Sequence, residues 1–395
     1  MNPLDGITVV SLEQAVAAPF ATRQLADLGA RVIKVERPGD GDFARGYDET
    51  VKGMASHFVW LNRSKESVAL DLKTDLGLRA VRELVSRADV FVQNLAPGAA
   101  ERLGLGAAEL RALNPRLVHV SISGYGPGGP YTTKKAYDLL VQCEAGLVSI
   151  TGTPEEPAKV GISVADIAAG MYAYSGVLTA LIQRGRTGEG ATLEVSMLEA
   201  LGEWMGFPLN YAMYGGAAPS RSGARHAAIA PYGPFTCGDG EQVFLGIQNE
   251  REWATFCERV LGRADLATDP RFERNSLRVD NLTDLTAEVE RALAGRTAEQ
   301  AAELLEEVGI ANALLRDLHS FAEHPQLAAR DRWREYDSPV GPLRALIPPA
   351  TLEGATPVMG PIPTAGQHTD AVLAELGLHP DPDARTVAHD HEGTP

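Results

Sequence analysis

Cysteine is scarce in this chain. The three present, Cys143, Cys237 and Cys257, lie far apart and form neither a CxxC pair nor a Cys/His cluster. That excludes a secreted disulfide framework, and it predicts reduced, buried thiols in a cytoplasmic protein. No His pair has H-E-x-x-H spacing, so no metal is expected. A G-x-x-x-x-G-K-[ST] loop is missing, which removes support for a P-loop ATP-driven ligase. G-x-S-x-G is missing too, which argues against an α/β-hydrolase. The N-terminus, MNPLDGITVV, lacks the basic and apolar regions of a signal peptide. Basic charge is in deficit: 36 Lys and Arg against 52 Asp and Glu give a net charge of −16. A nucleic-acid or anionic-membrane partner is therefore not expected, because phosphate binding needs a basic surface.

Only one long apolar run is present, VGISVADIAAGMYAYSGVLTALI at 160–182, and its single charge is Asp166. Its glycines, hydroxyl residues and lone carboxylate favour a core helix over a membrane span. An unpaired buried carboxylate costs several kcal/mol or more. Two readings of Asp166 stand on local pattern. Ser163-x-x-Asp166 matches a capping box, with Asp166 in the first turn facing the helix dipole. Alternatively, function requires a catalytic acid there.

The remaining chain alternates. Strands are expected at 7–12, 31–35, 68–72, 89–92, 116–123 and 191–195. Helices are expected at 19–28, 75–86, 137–147 and 197–214, the last read as core from its aromatic and methionine content. This pattern predicts an α/β fold, a Rossmann-like parallel sheet with helices on both faces. The first turn, SLEQAVAAP, has no glycine to cradle a pyrophosphate. Gly124-Tyr-Gly126-Pro-Gly-Gly129 fits G-x-G-x-x-G formally, but Pro127 and Pro130 remove amide donors. The texture changes after 224. A hairpin is expected at 231–247 and helices near 250–261, 282–294 and 297–308. The expected domains are therefore a large Rossmann-like domain at 1–224 and a small α+β domain at 225–325. The polar end, 381–395, is expected to be a disordered tail. Basic residues Arg37, Lys73, Arg102, Lys134 and Lys135 fall in loops expected at one sheet edge, where open α/β folds bind ligands.

These residues carry a resemblance. PLDGITVVSLEQAVAAPFATRQLADLGARVIKVERPGDGD, LNRSKESVALDLKT, ADVFVQNLAPGAAERLGL, NPRLVHVSISGYG, AYDLLVQCEAGLVSITG, GISVADIAAGMYA, RTGEG, PYGPFTCGDG, DPRF and GQHTD occur in the order found in family III CoA-transferases. The group includes formyl-CoA and carnitine CoA-transferases and α-methylacyl-CoA racemases. The resemblance implies that Asp166 is the catalytic aspartate. It places coenzyme A contacts at Val16, Ala17, Arg37, Leu70, Asp71, Leu72, Lys73, Asn94, Leu95, Ala96, Arg102, Lys135, Ala136, Tyr137 and Asp138. It implies that the large domain, 1–224, binds coenzyme A, that 326–380 return to it, and that the protein is an interlocked homodimer with the site between domains of different chains. No tightly bound cofactor is implied. Acyl-CoA and a free carboxylic acid are the substrates, exchanged through an aspartyl-CoA thioester.

The sequence also departs from the family pattern. Val16 stands where formyl-CoA transferases carry glutamine, and HAAIAPYGP replaces their glycine-rich loop. Both count against formyl-CoA:oxalate specificity. The racemase histidine is replaced by Tyr137, which removes one of two proton-transfer partners. Transferase is thus preferred over racemase and over a non-catalytic CoA-binding protein. SMLEALGEWMGFPLNYAMYGG and IQNEREW are similar to the mesaconyl-CoA and succinyl-CoA branch. A short dicarboxylate is the expected acid, with Arg221 and Arg225 candidates for its distal carboxylate. Asp166 is expected to be ionised at pH 7, and glycines of the 124–129 loop are candidate oxyanion donors.

Overall fold

A computed structural model describes residues 1–378; the expected disordered tail at 381–395 lies outside them. The chain packs as two units. Among the described residues one holds Met1–Ala145, Gly161–Trp204 and 331–378; the other holds Gly146–Val160 and Met205–Arg330. The second unit thus takes in 146–160 and 205–224 as well as the 225–325 stretch of the expected small domain.

The first unit is built on six strands: β1 Thr8–Leu12, β2 Arg31–Glu36, β3 Lys65–Ala69, β4 Val90–Gln93, β5 Val118–Ser123 and β6 Ala191–Ser196. All pair in parallel, in the order β3-β2-β1-β4-β5-β6. This is the doubly wound order, and the direction of winding reverses between β1 and β4. Val9, Val10, Val90, Phe91, Val118 and Val120 are fully buried, as strands covered on both faces require.

β3 starts three residues before its expected position. Lys65 and Ser67 are buried strand residues whose polar ends are paired, Lys65 with Glu13 and Ser67 with Glu36. An apolar pattern does not register such a strand. Chain near the C-terminus covers its free side: Gly366 N–H donates to Ser67 Oγ and Ala69 N–H to Thr369 Oγ1.

The apolar run forms the helix Val164–Thr187. It is long and apolar enough to cross a membrane by length and composition alone. Its buried stripe is Ala165, Ala168, Ala169, Ala173, Val177 and Ala180, at helical spacing, while Tyr172 and Ile182 remain exposed. The expectation of a core helix therefore holds for one face. Gly170 permits the closest approach. A Cβ there would lie 2.7 Å from the Ala17 carbonyl oxygen and 3.0 Å from the Phe20 ring, so this helix seats directly on helix Ala17–Asp27. Arg184 anchors the far end through the Asp89 carboxylate at 2.9 Å, a cation at a helix C-terminus.

Three further expectations are corrected. The single helix expected at 197–214 is two, Met197–Trp204 and Gly206–Gly215, broken at Met205 (φ −83°, ψ 9°). In a continuous helix the Pro208 ring would strike the Trp204 carbonyl. The expected core stripe of the second piece is solvent-facing: no residue of Gly206–Gly215 is buried. The helix expected at 137–147 ends at Glu144, and Gly146 at φ +81° turns the chain before a short second helix. Cys237 and Cys257 are buried as expected, whereas Cys143 is exposed.

The second unit is α+β. Strands β7 Tyr232–Thr236, β8 Gln242–Gly246 and β9 Ala311–Leu314 pair antiparallel. Its core gathers Phe235, Trp253, Phe256, Phe272, Leu285 and Val289. Arg278 is buried among them, donating to the Ala230 and Phe272 carbonyls and to both oxygens of Glu250. It lies over the Trp253 ring at 5.0 Å.

Candidate active site

Two features of the first unit combine chemistry with position. One is a cleft at the C-terminal ends of β1 to β4, at the point where the winding reverses. It is lined by Leu12, Glu13, Gln14, Arg37, Asp42 and Lys73, among others. Open α/β sheets bind ligands at this place. Its volume, about 280 Å³, is at the low end for small-molecule sites, which start near ~300 Å³. An extended ligand would occupy it only in part.

The structure brings Arg37, Leu70, Asp71, Leu72, Lys73 and Leu95 onto the cleft wall. Arg37 and Lys73 are exposed there, with Arg37 Nε donating to the Gly41 carbonyl. Asn94 lies behind the rim: its side chain accepts from Gln14 N–H at 2.9 Å and donates to the Gln14 carbonyl at 2.8 Å. Val16 and Ala17 are 3% and 2% exposed, and neither is among the residues that line the cleft. Ala96 and Arg102 are exposed on the turn and short helix after β4.

Beneath the cleft lies a group of buried charges that the sequence did not announce. Lys34 Nζ meets Asp42 at 2.6 Å and Asn62 at 2.9 Å. Lys65 Nζ meets Glu13 at 2.6 Å, and Glu13 accepts from Thr22 on its other oxygen. Arg45 forks onto Glu36. Burial pushes the Glu36 carboxyl up, but Arg45, Lys34 and Ser67 outweigh it and hold the group down to about 2. The three buried carboxylates of the cleft wall, Glu13, Glu36 and Asp42, are thus matched by three cations, which offsets their repulsion of an anion.

The second feature is the start of the long helix. Ser163 is the N-cap, but its side chain makes no capping hydrogen bond. The expected capping box is therefore not formed. Asp138 supplies the cap instead: its Oδ1 accepts from Ala165 N–H at 2.8 Å and from Asp166 N–H at 3.3 Å. Its Oδ2 is held by Gln142 Nε2 at 2.7 Å. Among the described residues no donor reaches the Asp166 carboxylate. Burial, then the charge of Asp138, pushes the Asp166 carboxyl up to about 7. Full ionisation at pH 7 is therefore not what the structure gives: Asp138 has taken the amides that would have stabilised the anion.

Asp166 and Gly170 are four residues apart and share a helix face. That face is pressed on Ala17, so the turn at 14–17 and the carboxylate belong to one constellation. Tyr137, 66% exposed, immediately precedes the capping residue. Of the two lysines before it, Lys135 is exposed, while Lys134 is bonded to Glu144 and stacked on Tyr131. Ala136 abuts Gly124, which ties this segment to the loop after β5. Sequence reasoning missed Tyr47. Its phenol is pushed up to about 12 by burial first, then by the charges of Asp42 and Asp166 and by Tyr137. Its only sequence signal was its place after GDFARG. Arg221 and Arg225 lie in the second unit. Arg221 is committed to the carbonyls of Ser149, Thr153 and Pro154, which argues against its use on a substrate. Among the described residues no three His, Cys, Asp or Glu side chains gather as a metal site.

Comparison with known proteins identifies the family. The model of CoA-transferase family III matches residues 4–369. An acetyl-CoA:oxalate CoA-transferase of Acetobacter aceti is 39% identical over 84% of this chain and 85% of its own length. A succinyl-CoA:glutarate CoA-transferase of Mus musculus is 33% identical over 95% of this chain and 87% of its own. The crystal structure of a CAIB/BAIF family protein from Brucella suis superposes with a TM-score of 0.83 at 33% identity, covering 95% of this chain and all of that one. The chain belongs to CoA-transferase family III, enzymes that exchange coenzyme A between an acyl thioester and a carboxylic acid.

Proposed function

We propose that this enzyme moves coenzyme A between an acyl-CoA and a short dicarboxylate, with Asp166 as the nucleophile. One observation carries the reading: a carboxylate that no donor reaches among the described residues stands at a helix start beside a second carboxylate, with its pKa at about 7. Whatever disfavours the anion favours any neutral derivative of it, protonated or acylated. Acylation of Asp166 removes the charge that Asp138 opposes. Near neutral pH a large fraction of the group remains ionised and able to attack.

The steps then follow. Asp166 attacks the thioester carbonyl, giving a mixed anhydride and the CoA thiolate. The thiolate attacks the aspartyl carbonyl, forming an enzyme thioester and releasing the first acid as carboxylate. The second acid attacks that thioester and displaces CoA, leaving a new mixed anhydride. CoA attacks the incoming acyl carbonyl, and the Asp166 carboxylate is regenerated. One thioester is consumed and one is formed over the whole cycle, so the thioester energy is conserved and the exchange requires no ATP.

Coenzyme A is proposed to enter the cleft with Arg37, Lys73 and Arg102 toward its phosphates. Val16 and Ala17, the segment Leu70 to Lys73, Asn94 to Ala96, and Lys135 to Asp138 would complete the contacts. The acids named for the relatives, oxalate and glutarate, are both dicarboxylates, which supports that substrate class. An interlocked homodimer is part of the same proposal. Trp204, Phe207, Leu209, Tyr211, Met213 and Tyr214 are 47–81% exposed, an unusual concentration of apolar side chains for a free surface.

The test is incubation with succinyl-CoA and a panel of mono- and dicarboxylic acids, followed by mass spectrometry of the CoA esters. Dicarboxylates should gain CoA. If no acid does, the reading fails. If monocarboxylates do so equally well, the substrate class fails alone.

A further inference from the structure

The ion pair between Lys34 and Asp42 is fully buried, and the mechanism above uses neither residue. What distinguishes Asp42 is where its second oxygen goes. Oδ1 accepts the Ala15 N–H at 3.2 Å and the Ala44 N–H at 2.9 Å. Its own N–H donates to Glu36 Oε2 at 2.8 Å. One carboxylate thus links the turn after β1 to the single-turn helix Phe43–Gly46, whose next residue is Tyr47.

Ala15 has φ +60°, a left-handed backbone that L residues with a Cβ disfavour. Such a conformation persists only where surroundings over-determine it, and it concentrates at ligand sites. Here the turn is gripped from two sides. Asn94 holds Gln14 through both its donor and its acceptor, and Asp42 holds the amide of Ala15. Gln14 and Asp42 themselves line the cleft. Lys34 pins Asp42 by one oxygen and leaves the other free for the turn.

We infer that Asp42, clamped by Lys34, is a positioning residue for coenzyme A: it holds the Gln14–Ala15–Val16 turn in the left-handed form that opens the cleft. This rests on the proposed placement of coenzyme A there. A buried ion pair that served stability alone would not need its free oxygen on a strained amide.

Coenzyme A itself is the probe, with its Kd measured by titration calorimetry on the full chain. Ala15→Val leaves the ion pair intact and makes φ > 0 harder to reach. It should weaken coenzyme A by about tenfold. Asp42→Ala should do the same, and adding Ala15→Gly should win back about threefold or more of that loss, because glycine adopts φ > 0 without the clamp. A purely structural role predicts a lower Tm for Asp42→Ala, an unchanged Kd for Ala15→Val and no rescue by glycine. That result overturns the inference. Should Asp42→Ala not fold, Ala15→Val decides the matter by itself. Arg37→Ala and Lys73→Ala separate the two levels. If they weaken coenzyme A while Ala15→Val does not, this inference alone fails. If neither weakens it, the placement of coenzyme A fails and takes the inference with it.

Discussion

Asp138 caps the helix that carries Asp166, accepting the Ala165 and Asp166 amides through one carboxylate oxygen. The capping side chain thus comes from 28 residues away rather than from Ser163. It brings a negative charge to the one place on the helix where an anion is otherwise welcome. The Asp166 carboxyl consequently sits at about 7, with burial the larger cause and Asp138 the second.

A pH profile follows. The attacking form is the carboxylate, so kcat/KM for acyl-CoA should rise with pH and level off above about 7. Asp138→Asn keeps an oxygen for the two amides and removes the charge. Its rising limb should move to lower pH. An unmoved limb would show that burial alone sets the group.

Asp166→Asn should lower transfer by about 10³-fold or more, as loss of a covalent nucleophile does. Hydroxylamine should trap an adduct on the wild-type aspartate and none on the variant. The variant should also be more stable at alkaline pH. The raised carboxyl binds its proton more tightly folded than unfolded, so stability from this group is present at low pH and lost between 3.8 and about 7. The thermal shift of Asp166→Asn relative to wild type should therefore be larger at pH 8 than at pH 5.

Gly170 determines whether the nucleophile reaches the 14–17 turn. Gly170→Val would drive a side chain into the Ala17 carbonyl and the Phe20 ring. Overpacking of this kind costs about 1–3 kcal/mol. Since Asp166 lies one turn away on the same face, kcat should fall by more than the change in folded fraction accounts for. Single-turnover rates normalised to folded protein test this.

Arg278 should prove purely structural. Replacing it with Met strands the Ala230 and Phe272 carbonyls in the second unit's core, at about 1–3 kcal/mol each. Urea unfolding should show a destabilisation of roughly 2–4 kcal/mol. In protein that stays folded, the Kd for coenzyme A should not change.

Much of the fold was legible because its signals are local. Five of the six parallel strands show as β-branched runs at their expected places, and their alternation with helices announces a doubly wound sheet. β3 was misplaced because Lys65 and Ser67 are buried by partners on other strands, so its apolar pattern is interrupted. The helix at 197–214 was overextended because hydrophobicity says nothing of the clash that Pro208 would cause. Its aromatics were misread as core for a similar reason: composition does not tell which face a single chain leaves uncovered.

For the site, the sequence by itself determined the scarce things: a lone carboxylate in the one long apolar run, basic residues after successive strands, and motifs in family order. Tertiary structure decided their chemistry. Hydrogen bonds and charge–charge effects act over a few ångströms of space, regardless of separation along the chain. Only folding sets Asp138 against Asp166, or places Lys34 and Asp42 behind Ala15. A capping box and a helix dipole read from sequence suggested an ionised aspartate. The folded chain gave those amides to a different carboxylate, and with them the control of the proton on Asp166.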